Sequence, residues 1–97
     1  MTGTTRSSSG LDPRRRRLLF RSWHRGMKET DLIMGPFADA MIEQMSDAEL
    51  DEFERLMEAP DPDLYRWIAS GEAPPPEYQG PVFRRIYAFH HDGRDPA

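Results

Sequence analysis

Cysteine is absent from this 97-residue chain, so disulfides, thiol nucleophiles and sulfur-ligated metal sites are all excluded. Apolar runs are short, Leu18-Leu19-Phe20 being typical, against the ~18 residues that a membrane span needs and the ~7 of a signal-peptide core. No stretch alternates apolar and polar residues over strand length, which argues against a sheet. Histidine occurs only as His24, His90 and His91, and the adjacent pair would point about 100° apart on a helix, away from any shared metal. The glycines are isolated, so no phosphate-cradling loop exists, and Ser7, Ser8 and Ser9 stand in a polar stretch that could not hold a nucleophile rigidly. Neither a catalytic residue nor a metal site is assigned, and catalysis by this chain is not expected.

What remains is one small domain: 37% hydrophobic residues with nine prolines allow only a modest core. The formal net charge of −4 conceals a segregation. Residues 1–28 carry eight basic and one acidic side chain, a net +7, whereas residues 29–77 carry two basic and fourteen acidic, a net −12. Such a dipolar chain is suited to orienting itself on a charged partner. Residues 1–10 are polar and aperiodic, and are expected to be a disordered tail. Their Ser- and Arg-rich, acid-poor composition keeps a mitochondrial presequence, and hence the matrix, as the alternative to a bacterial cytoplasm.

Helix punctuation divides the rest into an all-α, five-helix bundle over residues 11–91, with residues 92–97 as a short tail. Asp12-Pro13 caps and starts a first helix reaching residue 25, with Phe20, Trp23 and Met27, and Leu19 beside Trp23, as its apolar stripe and Arg14, Arg15, Arg16, Arg17 and Arg21 around the remainder. Four consecutive arginines oppose the dipole at a helix N-terminus. They read as a solvated face, as a phosphate-binding patch or as a contact for an acidic protein. A second helix over residues 29–44 repeats Ile33, Phe37, Met41 and Met45, with Gly35-Pro36 predicting a kink or a fresh start. Ser46-Asp47-Ala48-Glu49 is a capping box opening a third helix, with Leu50, Phe53, Leu56 and Met57 inward and Asp47, Asp51, Glu52, Glu54 and Glu58 outward. Asp61-Pro62 starts a fourth helix, with Leu64, Trp67 and Ile68 buried and Gly71 closing it. Pro74-Pro75-Pro76 is an extended linker, after which Pro81 starts a fifth helix.

Between the first two helices stands Arg25-Gly26-Met27-Lys28-Glu29. Glycine takes positive φ without penalty, so Gly26 reads as a corner, with Arg25 in the last turn of one helix and Glu29 in the first turn of the next, each matched to a dipole. A corner alone needs no function. An arginine-led nucleic-acid or anionic-surface binder is also opened by the aromatics among the arginines, though the acidic middle of the chain opposes it.

In order and spacing, Arg25-Gly26-Met27-Lys28-Glu29, then Ser46-Asp47-Ala48-Glu49, then Asp61-Pro62-Asp63-Leu64-Tyr65-Arg66-Trp67-Ile68 resemble the succinate dehydrogenase assembly factor (flavinylation factor) family, over residues 18–89. The resemblance implies a small helical bundle that binds the flavoprotein subunit of succinate dehydrogenase, and in some lineages of fumarate reductase. It also implies that the chain promotes covalent attachment of FAD to a histidine of that subunit, holding no FAD of its own stably. Carried over, Arg25, Gly26, Met27, Lys28 and Glu29 are the partner-binding residues, on a chain expected to be monomeric when free. The serine- and threonine-rich start, the four arginines and the triple proline depart from the family pattern.

Overall fold

A computed structural model describes residues 10–92, Asp92 by its backbone alone. The tails expected at residues 1–10 and 92–97 fall outside it except for Gly10 and that backbone. Five α-helices follow one another: α1 Pro13–Trp23, α2 Lys28–Met41, α3 Asp47–Met57, α4 Asp61–Ala69 and α5 Pro81–Asp92, with 3-10 turns at Ile42–Gln44 and Pro76–Tyr78. No strand occurs among the described residues. No helix among them is long and apolar enough to cross a membrane.

Local chemistry explains most of the boundaries. The Asp12 carboxylate accepts from the Arg15 N–H at 3.3 Å, and Pro13 occupies the first turn. At α3 the capping box closes both ways, Glu49 N–H to Ser46 Oγ at 3.2 Å and Ser46 N–H to Glu49 Oε1 at 2.8 Å. Helix α4 stops just before Gly71, whose φ of +78° only glycine adopts freely. Between α1, α2, α3, α4 and α5 lies one core in which Phe37, Phe53, Leu50, Leu56, Leu64, Ile68, Val82 and Ile86 are fully buried. The Phe37 ring meets Phe53 at 5.9 Å and the edge of Phe89 at 5.8 Å.

Several elements differ from the sequence reading, each for a tertiary reason. Helix α1 buries Leu18, Leu19 and Ser22 rather than Phe20, which is 62% exposed and stacked on His24 at 3.9 Å. The rotation puts Leu18 and Leu19 in the core, at 1% and 2% exposure, and leaves the arginines to reach neighbouring elements. Arg14 bonds Glu54 and Asp51 on α3, Arg21 reaches Glu58, and Arg15 donates to the carbonyls of Ile42 and Met45. Arg16 bonds the Leu11 carbonyl at 2.6 Å. Carboxylates and carbonyls of neighbouring elements therefore offset the unfavourable dipole at the arginine-rich start of α1.

Pro36 neither breaks nor restarts α2, which runs through it and tightens into the 3-10 turn only at Ile42. The one N–H it lacks would have bonded the carbonyl of Leu32, a residue 54% exposed and open to water. Gly35 is needed for packing instead, because a Cβ there would lie 2.4 Å from the Trp23 ring. Trp23 in turn donates from Nε1 to Asp39 at 3.2 Å.

Glu52, expected to face solvent, caps α5 from another helix by accepting from the N–H groups of Val82 and Phe83 at 3.1 and 3.0 Å. The triple proline is not wholly an extended linker, since Pro76 opens the 3-10 turn Pro76–Tyr78. Pro74 is buried, Tyr78 packs on Trp67 with centroids 5.2 Å apart, and His91 at the end of α5 bonds the Ile68 carbonyl at 2.7 Å.

Trp67 is 5% exposed, as its spacing predicts. Its truncation to alanine is expected to cost about 3–5 kcal/mol, comparable with the few kcal/mol that a domain of this size holds in reserve. Circular dichroism of Trp67→Ala should show a largely unfolded chain; a native melting curve would reassign the residue.

Acid should unfold the protein through identifiable groups. The backbone N–H of Ser46, then Arg85, hold the Glu49 carboxyl below its ordinary value, and Arg14 does the same for Glu54. A lowered folded-state value contributes stability at pH values above the unfolded carboxyl range and loses it as pH falls through the folded values. The melting temperature should therefore be level above about pH 5 and fall below about pH 4. Glu49→Gln should flatten that acid limb, and a melting temperature that rises on acidification would contradict the assignment.

Candidate functional site: the corner between α1 and α2

Residues 24–27 connect α1 to α2, and nothing in that connection caps α2 from within, since Met27 at the cap position has no side chain able to accept. The missing acceptor comes from α4. Asp61, the first residue of that helix, turns its carboxylate away from its own N-terminus and accepts from Gly26 N–H at 2.8 Å and Met27 N–H at 3.1 Å through Oδ2. Its Oδ1 pairs with Arg25 Nε. The expectation that Asp61 caps its own helix, as Asp12 does, is thus corrected: α4 is capped from Pro60, with no side-chain cap bond.

Arg25 lies beyond the end of α1 rather than in its last turn. Its guanidinium spans to two further elements, donating from Nη1 to the Met57 carbonyl at 3.0 Å and from Nη2 to the Ala59 carbonyl at 2.7 Å. These carbonyls belong to the C-terminal end of α3, where a cation also complements the dipole. Arg25 N–H donates to Asp31 Oδ1 at 2.8 Å, closing the corner from the α2 side. The Arg25 and Asp61 side chains are 9% and 13% exposed.

Gly26 does not have the positive φ expected of it; among the described residues only Gly10 and Gly71 do. Space is the constraint instead. A Cβ on Gly26 would sit 3.1 Å from Asp61 Oδ2, an oxygen already fixed by the corner's own N–H groups. Lys28 and Glu29 open α2 on the exposed side and make no hydrogen bond or ion pair among the described residues. Of the five motif residues, then, Arg25 faces inward, Gly26 gives room, Met27 is half-buried, and Lys28 and Glu29 present free charge. Asp61 was legible in sequence only as a helix start; what links it to the corner is contact between residues 35 positions apart.

No group of three histidine, aspartate or glutamate side chains able to hold a metal occurs among the described residues. Around Lys28 and Glu29 the chain offers an exposed corner held by hydrogen bonds from α2 and α4. This is the build of a small helical assembly or binding protein. Residues 16–90 match the family model described as flavinator of succinate dehydrogenase, and the chain belongs to that family.

Named relatives agree. The chain is 34% identical over 88 residues to succinate dehydrogenase assembly factor 2, mitochondrial, of Dictyostelium discoideum, covering 91% of this chain and 61% of that one. It is 40% identical over 80 residues to FAD assembly factor SdhE of Acetobacter pasteurianus, covering 82% and 73%. For the Danio rerio assembly factor 2 the figures are 35% over 86 residues, 87% and 54%. The chain thus spans about half to three quarters of the length of these relatives.

Breaking the node should show in stability. Removing one partner of a buried, hydrogen-bonded ion pair leaves the other uncompensated, so Arg25→Ala should lose about 3 kcal/mol in urea unfolding. Gly26→Ala, without strain at φ, should lose about 1–3 kcal/mol by crowding Asp61. An Arg25→Ala protein as stable as wild type would mean that the guanidinium does not hold the corner.

Proposed function

We propose that this chain binds the flavoprotein subunit of succinate dehydrogenase through the corner between α1 and α2 and promotes covalent attachment of FAD to that subunit. The observation that carries the reading is a corner, in a chain that matches the flavinator family, whose backbone is bonded by Asp61 and whose Lys28 and Glu29 are exposed and make no hydrogen bond or ion pair among the described residues. The relatives named as assembly factors of succinate dehydrogenase and of FAD support the partner and the cofactor.

The chain's part is positioning. Flavin attachment needs the partner's histidine held against the flavin while negative charge develops on the ring system, and fixed geometry lowers such a barrier by several kcal/mol. A rigid corner can hold two parts of the partner in that arrangement without contributing a reacting group. The FAD belongs to the partner in this account. We place the chain in a bacterial cytoplasm, with the mitochondrial matrix as the alternative, as relatives of both kinds match it.

The nucleic-acid alternative is weakened, although Arg17 and Phe20 remain exposed on α1. Arg14, Arg15 and Arg16 are engaged by carboxylates and carbonyls of their own chain, so binding a phosphate would first require breaking those bonds.

Reconstitution tests the proposal: apo flavoprotein subunit, FAD and this chain are mixed, and covalent flavin is read by fluorescence in a denaturing gel. Glu29→Ala should melt within about 0.5 kcal/mol of wild type, yet bind the subunit about 2 kcal/mol more weakly, roughly thirtyfold, with covalent flavin reduced to match. A wild-type rate with Glu29→Ala would remove the corner from the mechanism. The same assay with a fumarate reductase flavoprotein decides whether that subunit is a client.

A further inference from the structure

We infer that Asp61 is a positioning residue for partner binding, acting through the backbone and guanidinium of the corner rather than by touching the partner. The inference rests on the docking role proposed above for Lys28 and Glu29. One carboxylate accepts from Gly26 N–H, Met27 N–H and Arg25 Nε, and so determines where the first turn of α2 begins. Without it, two N–H groups ahead of α2 lose their acceptor, because no side chain of the connection replaces it. Arg25 would then keep only the carbonyls at the end of α3 and its backbone bond to Asp31. The turn carrying Lys28 and Glu29 would sample several arrangements, of which only a fraction presents both charges as the partner needs them.

That fraction sets the apparent affinity. If the competent population falls to a tenth, the dissociation constant rises about tenfold, and the loss appears in the association rate because each productive encounter must find the corner formed. Asp61 is 13% exposed at its side chain, with both oxygens already engaged within the chain, which is why its effect has to pass through the corner.

The test compares Asp61→Asn, Asp61→Glu and Glu29→Ala in the full chain. Binding kinetics to the flavoprotein subunit are measured well below the melting temperature, and amide exchange is read at Gly26 and Met27. Asp61→Asn keeps an acceptor oxygen and loses the charge; Asp61→Glu keeps the charge and moves it by one methylene, which preserves a measurable protein if the asparagine variant does not fold. For whichever variant is folded, the expected result is faster exchange at both amides and about tenfold weaker binding. Dissociation should stay close to wild type, as expected when the fault lies in forming the corner rather than in the contacts it makes. A folded variant with exposed amides and wild-type affinity overturns the inference, as does one whose whole loss is in dissociation. If Glu29→Ala weakens binding while the folded Asp61 variants do not, the docking reading survives and the positioning role is lost. Wild-type binding by Glu29→Ala removes the docking reading and this inference together.

Discussion

A single carboxylate joins three helix ends in this fold. Asp61 sits where α4 begins, accepts from the two N–H groups that precede α2, and pairs with an arginine whose other nitrogens bond the carbonyls ending α3. Helix ends are where a bundle carries its unsatisfied backbone groups, and burying them without partners is costly. Gathering them around one ion pair solves this for several helices together. Such a pair adds little net stability when intact, because desolvation opposes the Coulomb gain, but it penalises every arrangement in which one partner is missing. Its product is a defined geometry at the corner.

The same logic recurs away from the corner and resolves the charge segregation of the chain. Glu52 on α3 serves the N-terminus of α5, Glu49 closes its own helix while reaching Arg85, and Arg14 lies against Glu54 and Asp51. A basic first quarter and an acidic middle would suit electrostatic steering if they stayed apart. Folded, α1 lies along α3 and much of the opposition is spent inside the molecule. Lys28 and Glu29 belong to the exposed charges, with Arg17, Asp47, Arg55, Glu77 and Arg84, for which no side-chain hydrogen bond or ion pair forms among the described residues; what sets them apart is their place beside the bonded corner.

A corner held by Asp61 and carrying exposed charge at Lys28 and Glu29 fits the proposed role of holding another protein. In the role proposed above, the chain supplies geometry to flavin attachment while the nucleophile and the cofactor lie on the client. A small bundle of modest stability can meet that demand if its contact surface is stiffer than the average of the fold. Linking the corner to α3 and α4 supplies such stiffness without a larger core.

Five helices, their approximate limits and most of the core were legible in the sequence, because caps, prolines and apolar spacing are local signals: Ser46 with Glu49, Asp12 with Pro13, and Leu50, Phe53 and Met57 at helical intervals act within a turn or two. The corner motif was legible as a family pattern, and its position between two helices as a glycine between amphipathic segments. What the motif residues do was decided only in three dimensions. Arg25 turns inward because Asp61 waits 36 positions along the chain, Gly26 is required for room rather than for φ, and Glu52 caps a helix 30 residues away. Phe20 faces solvent because Leu18, Leu19 and Ser22 take the buried face of α1. Short-range hydrogen bonding and periodicity write themselves into neighbouring residues; the pairing of a charge with a distant helix end has no local trace, because it depends on how the helices pack.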